Sequence, residues 1–165
     1  MPKIDKKNIS IINMLMDDGR MSCSEIAKKM GNITERSVQY RINRLVSENV
    51  IKICAVPSAE KLGFPVIADI YIEVESANIE EVAKTLAEYE CVAYVACSIG
   101  NPDVSIQIFS PDNSTVFRFA TEIVGKMPGV IKTKTLILPT ILKANSQWRV
   151  PITFEHEFKR VKKSQ

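Results

Sequence analysis

The feature that most constrains the fold is a change in the spacing of apolar residues near Gly63. Before this residue, apolar side chains recur every three or four positions, which is typical of helices that bury one face. After it, the stretch 68–75 alternates apolar and polar residues, which is the pattern of a strand with one buried side. Two such periods predict two domains of different construction, and 165 residues are enough for both.

Three short helices are predicted within residues 1–49. Asp5, Ser22 and Thr34 are suitable N-cap residues for them, and Glu25 follows Ser22 at the spacing of a capping box. Two short helices joined by a tight turn match a helix-turn-helix. The apolar stripes expected to form the common core are Ile9, Ile12 and Met16, then Ile26, Ala27 and Met30, then Val38, Ile42 and Leu45.

The outward face of the third predicted helix is rich in arginine and carboxamide side chains and contains no lysine. A face that serves solubility alone more often carries Glu–Lys pairs. Arginine and carboxamide groups donate to base edges and phosphates, so this face predicts a DNA contact; an exposed surface without a ligand is the alternative. Ser22 and Thr34 are candidate phosphate contacts at helix N-termini. The other candidate DNA-binding residues are Arg36, Gln39, Tyr40, Arg41, Asn43 and Arg44.

Residues 63–145 predict the element order β-α-β-β-α-β, with Asn78 and Asp112 as helix caps and "NPD" as the turn of the central hairpin. Right-handed crossovers turn this order into a ferredoxin-like split sheet. The predicted fold class is therefore α+β, with an N-terminal helix-turn-helix domain and a C-terminal ferredoxin-like βαββαβ domain. The predicted inward residues are Ile70, Ile72 and Val74 on the first strand, Ile79, Val82, Ala83 and Leu86 on the first helix, and Val116, Ala120, Ile123 and Met127 on the second.

The other face of this sheet, with Tyr71 and Phe109, has no predicted helix to cover it. Burial against a second copy is the simplest solution, so we expect at least a homodimer. Residues 50–62 are predicted to form a linker strand and loop. Residues 146–165 are predicted to be a C-terminal tail that could include an edge strand. The alternation of Trp148, Val150, Ile152 and Phe154 indicates a strand, and Pro151 restricts such a strand to the edge of a sheet.

Several motifs point to one family. The N-terminal half contains "DGRMS", "EIA" and V-x-x-R-I-x-R-L-V-x-x-N-V-I, and the C-terminal half contains "SIGNPDVS" and "PGVIKTKT". Over about residues 4–143 the chain resembles the Lrp/AsnC transcription regulators, also called feast/famine regulatory proteins, with an archaeal-like character. Asn8 stands where this family usually has aspartate.

The resemblance implies a sequence-specific regulator that binds double-stranded DNA as a homodimer or higher homo-oligomer and responds to an amino-acid effector. The loop "GNPD" aligns with the family's G-x-x-D loop, which lies beside the effector. Backbone N–H groups near Gly100 would hold the effector carboxylate and Asp103 its ammonium, with Thr133 and Thr135 as weaker candidates. A tight hairpin without a ligand is the alternative. The linker strand would help to pair two chains, although residues 50–56 equally suit a wing within one chain.

Charge is distributed unevenly along the chain. Residues 1–49 contain nine Lys or Arg and six Asp or Glu, which gives a net charge of +3. Residues 50–145 contain eight and eleven, which gives −3, and residues 146–165 contain five and two, which gives +3. Basic ends suggest a polyanion as their partner, and the acidic middle suggests a different task.

Cofactor, metal and membrane classes are not expected. The four cysteines form no C-x-x-C pair, and His156 is the only histidine, so we predict free thiols and no zinc site. No apolar run is long enough to span a bilayer and the start lacks a signal-peptide core, so a cytoplasmic location is expected. An enzyme acting on tetrapyrroles, which occurs on similar folds, would want histidines in its pocket. We therefore predict no enzyme; a ligand-sensing or assembly module without DNA binding is the further alternative.

Overall fold

The computed structural model describes residues 4–144 and 147–151. The chain divides into two compact units. One, here called the helical unit, contains the described residues up to Val56 together with those that follow from Lys143, and the other, the sheet unit, contains Pro57–Leu142.

The helical unit contains three helices, α1 (Lys6–Asp17), α2 (Cys23–Met30) and α3 (Glu35–Ser47). Each begins where the sequence predicts, because the side chains of Asp5, Ser22 and Thr34 accept the N–H groups of residues 8, 25 and 37. These bonds satisfy backbone donors that a helix leaves unpaired in its first turn. Gly31 ends α2 with φ +70°, a left-handed conformation that glycine adopts without steric cost.

The core of the helical unit consists of Ile11, Ile26, Val38 and Ile42. The predicted stripes of α2 and α3 are confirmed at Ile26, Val38, Ile42 and Leu45, all of which are buried. The stripe of α1 was only partly right. Ile9 and Ile12 are buried, but Ile11 is fully buried as well and Met16 is only half-buried. The buried face of α1 therefore lies closer to the N-terminal half of the helix than predicted.

Two predicted strands are not present in the described residues. Residues 51–58 belong to no helix or strand, because the described part of the chain places no strand beside them to share backbone hydrogen bonds. Residues 148–151 of the tail also form no strand; Arg149 and Val150 bond instead to Asn13 and Asp17 of α1. Ile152 and Phe154 lie outside the described residues.

The elements of the sheet unit are β1 (Val66–Val74), α4 (Ile79–Ala87), β2 (Val92–Cys97), β3 (Val104–Ser110), α5 (Asn113–Arg118) and β4 (Val130–Ile137). The strands form a four-stranded antiparallel sheet in the order β2-β3-β1-β4, as a split β-α-β arrangement requires. A short 3₁₀ turn, Glu60–Leu62, precedes the sheet. Gly129 comes close to the start of α4: a Cβ there would lie 2.5 Å from Cβ of Asn78, so the turn before β4 requires glycine.

One face of the sheet packs on the helices, as predicted. Ile70, Ile72 and Val74 of β1 are buried against Leu86 of α4 and Val116 of α5. The register pairs Ile70 with Ile106 and Ile67 with Phe109, so inward and outward residues alternate on both central strands. The other face carries the half-buried residues Asp69, Tyr71, Glu73, Ser105, Gln107 and Phe109.

Two details of the helices differ from prediction. Asn78 occupies the N-cap position of α4, but its side chain makes no capping bond, and its backbone is helical (φ −109°, ψ −5°) instead of extended. Asp112 caps α5 as expected. After α5 the chain makes a π turn at Phe119–Ile123, which uses one more residue per turn. The inward position consequently moves from Ile123 to Val124, which is fully buried.

Candidate functional site

Helix α3 presents its polar face from a fixed position. Val38, Ile42 and Leu45 anchor its inner side in the core, and the Thr34 hydroxyl holds its first turn by accepting Ser37 N–H at 3.3 Å. An anchored helix displays its outer side chains with defined spacing, which recognition of bases requires. Thr34, Glu35, Arg36, Gln39, Tyr40 and Asn43 line a shallow open depression on this outer side.

The carboxamides on α3 are held by a short chain of hydrogen bonds. Gln39 Nε2 donates to Asn43 Oδ1 at 2.8 Å, and the thiol of Cys23 on α2 donates to Gln39 Oε1 at 3.2 Å. Cys23 therefore orients Gln39, a role that the sequence did not indicate because the two residues lie on different helices. Tyr40 is 66% exposed beside them. Four of the predicted contact residues, Arg36, Gln39, Tyr40 and Asn43, are thus brought together on one exposed surface.

Arg41 is directed elsewhere. Its guanidinium contacts α1 and its cap, with Nη1 2.8 Å from Asp5 Oδ2 and also hydrogen-bonded to Asn8 Oδ1. Only 25% of the Arg41 side chain is exposed. Asp5 thus provides the carboxylate while Asn8, where the family usually has aspartate, provides a neutral acceptor. The signal missed in the sequence was the cap of α1, since Asp5 serves both the helix start and this arginine.

These contacts also affect the Asp5 carboxyl group. Partial desolvation acts to raise its pKa, but hydrogen bonds from Asn8 N–H and the Arg41 guanidinium outweigh that effect, so the pKa of Asp5 is lowered. The ion pair Asp5–Arg41 therefore persists at neutral pH and joins the start of α1 to the middle of α3.

The remaining predicted DNA-binding side chains have local partners. Ser22 Oγ accepts Glu25 N–H and donates to Glu25 Oε2 at 2.8 Å, completing the predicted capping box. Hydrogen bonds from the Ser22 N–H and hydroxyl lower the pKa of Glu25. Arg44 pairs with Glu48 at 2.7 Å, one turn later on α3. An exposed pair of this kind contributes little to stability because solvent screens it, so the Arg44 side chain can leave Glu48 at low cost.

The predicted effector loop has a structural role in this chain. Asp103 Oδ2 accepts Val74 N–H at 2.8 Å, and the Asp103 backbone joins Ile72 O and Ser98 N–H. These bonds attach the hairpin of β2 and β3 to β1 at the point after Glu73 where the pairing of β1 with β4 changes register. One carboxylate oxygen of Asp103 therefore already accepts a backbone N–H group. Only the other oxygen remains for the predicted contact with an ammonium group. Gly100, with φ +113°, is exposed at the tip.

The other two effector candidates lie on β4, which pairs with β1. Thr135 and Thr133 lie opposite Ile70 and Ile72, so their side chains share the helix-covered face of the sheet. Thr133 nevertheless borders an open concavity of about 320 Å³, whose other lining residues are Tyr71, Glu73, Asn101, Pro102, Lys132 and Lys134.

That concavity, here called the Glu73 concavity, contains charges of both signs. Glu73 Oε1 accepts from Asn101 Nδ2 at 3.2 Å and lies 3.9 Å from Lys132 Nζ. A carboxylate and two lysines on neighbouring strands complement the ammonium and carboxylate of a free amino acid. Sequence reasoning missed Glu73 because its alternation marked it only as an outward strand residue.

Comparison with known proteins gives this geometry its context. Residues 4–52 match the winged helix-turn-helix DNA-binding family. An HTH-type transcriptional regulator of Pyrococcus horikoshii is 34% identical over 142 residues, which is 86% of this chain and 89% of that protein. The transcriptional regulator FL11 of the same organism is 33% identical, over 82% of this chain and 87% of its own. The chain belongs to the Lrp/AsnC family of transcription regulators.

Solved structures share the whole fold. Escherichia coli AsnC superposes with a TM-score of 0.78 at 19% identity and covers 88% of this chain and 99% of its own. A transcriptional regulator of Neisseria meningitidis in complex with L-Met gives a TM-score of 0.79 at 19% identity, covering 86% and 94%. The Lrp/AsnC regulator described here therefore has the expected helix-turn-helix and ferredoxin-like sheet.

Residues 4–144 and 147–151 contain no group of three His, Cys, Asp or Glu side chains arranged to hold a metal ion. In the same ranges no helix has the length and apolar character needed to cross a bilayer. All four cysteines are free; Cys54 and Cys97 are exposed, and desolvation raises the pKa of the half-buried Cys91 thiol.

Proposed function

We propose that the outer face of α3 reads operator bases in the major groove. The observation that carries this proposal is the exposed group of Arg36, Gln39, Tyr40 and Asn43 on a helix whose opposite side is buried. Arg36 would donate to guanine, and Asn43 or Gln39 to adenine, which are the pairings that base-edge geometry favours. Tyr40 would contact the backbone.

The remaining predicted residues have supporting roles in this proposal. Arg44, released from Glu48, is suited to a phosphate, and the N-termini of α2 and α3 at Ser22 and Thr34 offer backbone N–H groups to neighbouring phosphates. Arg41 positions α3 through Asp5 and does not read bases.

The DNA proposal is tested by recovering an operator from genomic fragments and measuring affinity by fluorescence anisotropy. The double variant Arg36→Ala with Asn43→Ala should lose specific binding, and wild-type affinity should fall steeply with salt because phosphate contacts release counterions. Lys126→Ala, which removes an exposed charge from the sheet unit, is the control and should bind normally. Retained specific binding by the double variant would contradict the proposal, as would a wild-type protein that selects no DNA.

The regulator is also proposed to act as a homodimer or larger homo-oligomer in the cytoplasm. The helix-free face of the sheet supports this, since Tyr71 and Phe109 remain only half-buried there. A symmetric dimer would place two α3 helices on half-sites about 34 Å apart, one turn of DNA. Native mass spectrometry should give a dimer or a multiple of it, and a monomer at micromolar concentration would contradict this part.

An amino-acid effector is proposed to bind at the Glu73 concavity. Glu73 would hold the ammonium and a lysine the carboxylate, with Asp103 fixing the neighbouring hairpin through Val74. Calorimetry with each of the common amino acids tests this proposal. Glu73→Gln should abolish heat of binding while Asp103→Asn keeps most of it, because asparagine still accepts Val74 N–H. No heat with any amino acid would favour the hairpin without a ligand.

A further inference from the structure

The C-terminal segment contacts α1 through a reciprocal pair of hydrogen bonds. Asn13 Nδ2 donates to Val150 O at 2.9 Å, and Val150 N–H donates to Asn13 Oδ1 at 3.1 Å. The carboxamide thus pairs with a backbone residue much as a neighbouring strand would. A carboxamide side chain suits this arrangement because it carries a donor and an acceptor side by side.

Arg149 adds a second set of contacts at the end of the same helix. Its Nη1 donates to Asn13 O at 2.7 Å and to Asp17 Oδ2 at 2.9 Å, and its Nη2 pairs with the other carboxylate oxygen of Asp17. α1 has no basic residue in its last turn, although helix C-termini favour a cation. Arg149 supplies that charge from outside the helix. It is half-buried, as is Val150, whereas Trp148 beside them stays 54% exposed.

We propose that Asn13 and Asp17 form a docking site for the chain's own residues Arg149 and Val150, here called the clasp. The chain leaves the helical unit after Val56 and enters it again at Lys143. With the clasp closed, the sheet unit is therefore attached to the helical unit at both of its ends instead of one.

The second attachment has a consequence for DNA binding, which rests on the proposed function. Two DNA-binding units in one dimer act together only if their freedom is limited, because effective concentration falls as a linker becomes longer or looser. The clasp restricts that freedom without contributing to the face of α3. Its loss should weaken operator binding while leaving the contacts to bases unchanged.

Hydrogen–deuterium exchange on the full chain without DNA tests the docking site. Arg149→Asp and Asp17→Arg should each raise deuterium uptake in peptides covering residues 147–151, and the combined variant should recover most of the protection. Arg20→Asp makes the same charge change at an exposed residue of the same unit and should change nothing. Unchanged uptake in both single variants would overturn the clasp.

Mixing the two single variants identifies which chain docks. If residues 149 and 150 docked on a partner chain, each docking site in a mixed dimer would again receive a side chain of opposite charge, and protection would return. Docking within one chain leaves like charges facing each other in both protomers of that dimer. We therefore expect no recovery after subunit exchange, and recovery would overturn docking within one chain.

The neutral variant Asn13→Ala separates the clasp from the proposed function. It should raise uptake at residues 147–151 and weaken operator affinity severalfold with no change in base preference. Normal operator affinity in a variant with a released segment would overturn the tethering role. A wild-type protein that binds no operator but protects residues 147–151 would contradict the proposed function and leave the clasp intact.

Discussion

The outer face of α3 and the loop 98–103 differ in what their polar side chains already contact. On α3, Arg36, Gln39 and Asn43 remain exposed to solvent, and the recorded bonds of the two carboxamides are to each other and to Cys23. In the loop, the one carboxylate that the motif singles out, Asp103, accepts a backbone N–H from β1. The first region is available to a ligand, whereas the second is largely occupied in holding the fold.

A family motif therefore indicates that a residue is important, but it does not indicate whether the residue binds a ligand or stabilises the fold. Arg41 and Asp103 both lie in motifs of the Lrp/AsnC family, and both have partners within their own unit. Arg36 lies on the same helix as Arg41 but is exposed and has no recorded side-chain partner among the described residues, and Asn43 bonds only to its helix neighbour Gln39. Substitutions at these two kinds of residue should therefore have different effects.

The largest expected effect is that of Arg36→Ala on operator binding. Loss of one bidentate arginine should cost about 1–3 kcal/mol of binding free energy. The melting temperature should not change, because the side chain makes no contact on which the fold depends. Anisotropy and calorimetry on the same sample measure both quantities, and a large drop in melting temperature would place Arg36 with the structural residues.

Asp103→Ala should reduce the free energy of unfolding by about 1–2 kcal/mol, because the Val74 N–H loses its acceptor. Asp103→Asn is the matched control and should keep most of the stability, since its carboxamide oxygen still accepts. Urea denaturation provides the comparison. Equal stability of the alanine and asparagine variants would mean that the bond to Val74 is unimportant.

Arg41→Ala should lower the free energy of unfolding of the helical unit by about 1 kcal/mol. The estimate is modest because Asp5 is about half exposed and solvent screens the pair. Operator affinity should fall less than for Arg36→Ala, and equally for every base sequence. Selective loss for one base would return Arg41 to the group that reads DNA.

The smallest effect concerns acid. The lowered pKa of Asp5 means that its ion pair stabilises the fold above the unfolded pKa of about 4 and that this contribution disappears as pH falls through the folded value. Asp5→Asn keeps the helix cap but removes the charge, so its stability should differ from wild type at pH 7, and this difference should shrink as pH falls through the folded pKa of Asp5. A constant difference across that range would rule out the ion pair as the cause.

Local chemistry explains which features were predictable from sequence. The caps Asp5, Ser22, Thr34 and Asp112 and the alternation of β1 depend on neighbours within a few residues, so patterns report them directly. The shift from Ile123 to Val124 depends on a π turn that no spacing rule anticipates. The partners of Arg41, Asp103 and Asn13 lie far away in sequence, by 36 residues for Asp5, 29 for Val74 and 137 for Val150. Only the folded chain brings them together.

If the exposed side of α3 lies against bases in the major groove, Arg36 should recognise one particular base. A thermodynamic cycle between Arg36→Ala and every single-base change in the operator measures this recognition. We expect one guanine position to lose its effect on affinity in the variant, while changes at other positions cost the same as in wild type. A uniform loss at all positions, or no loss at any, would contradict it.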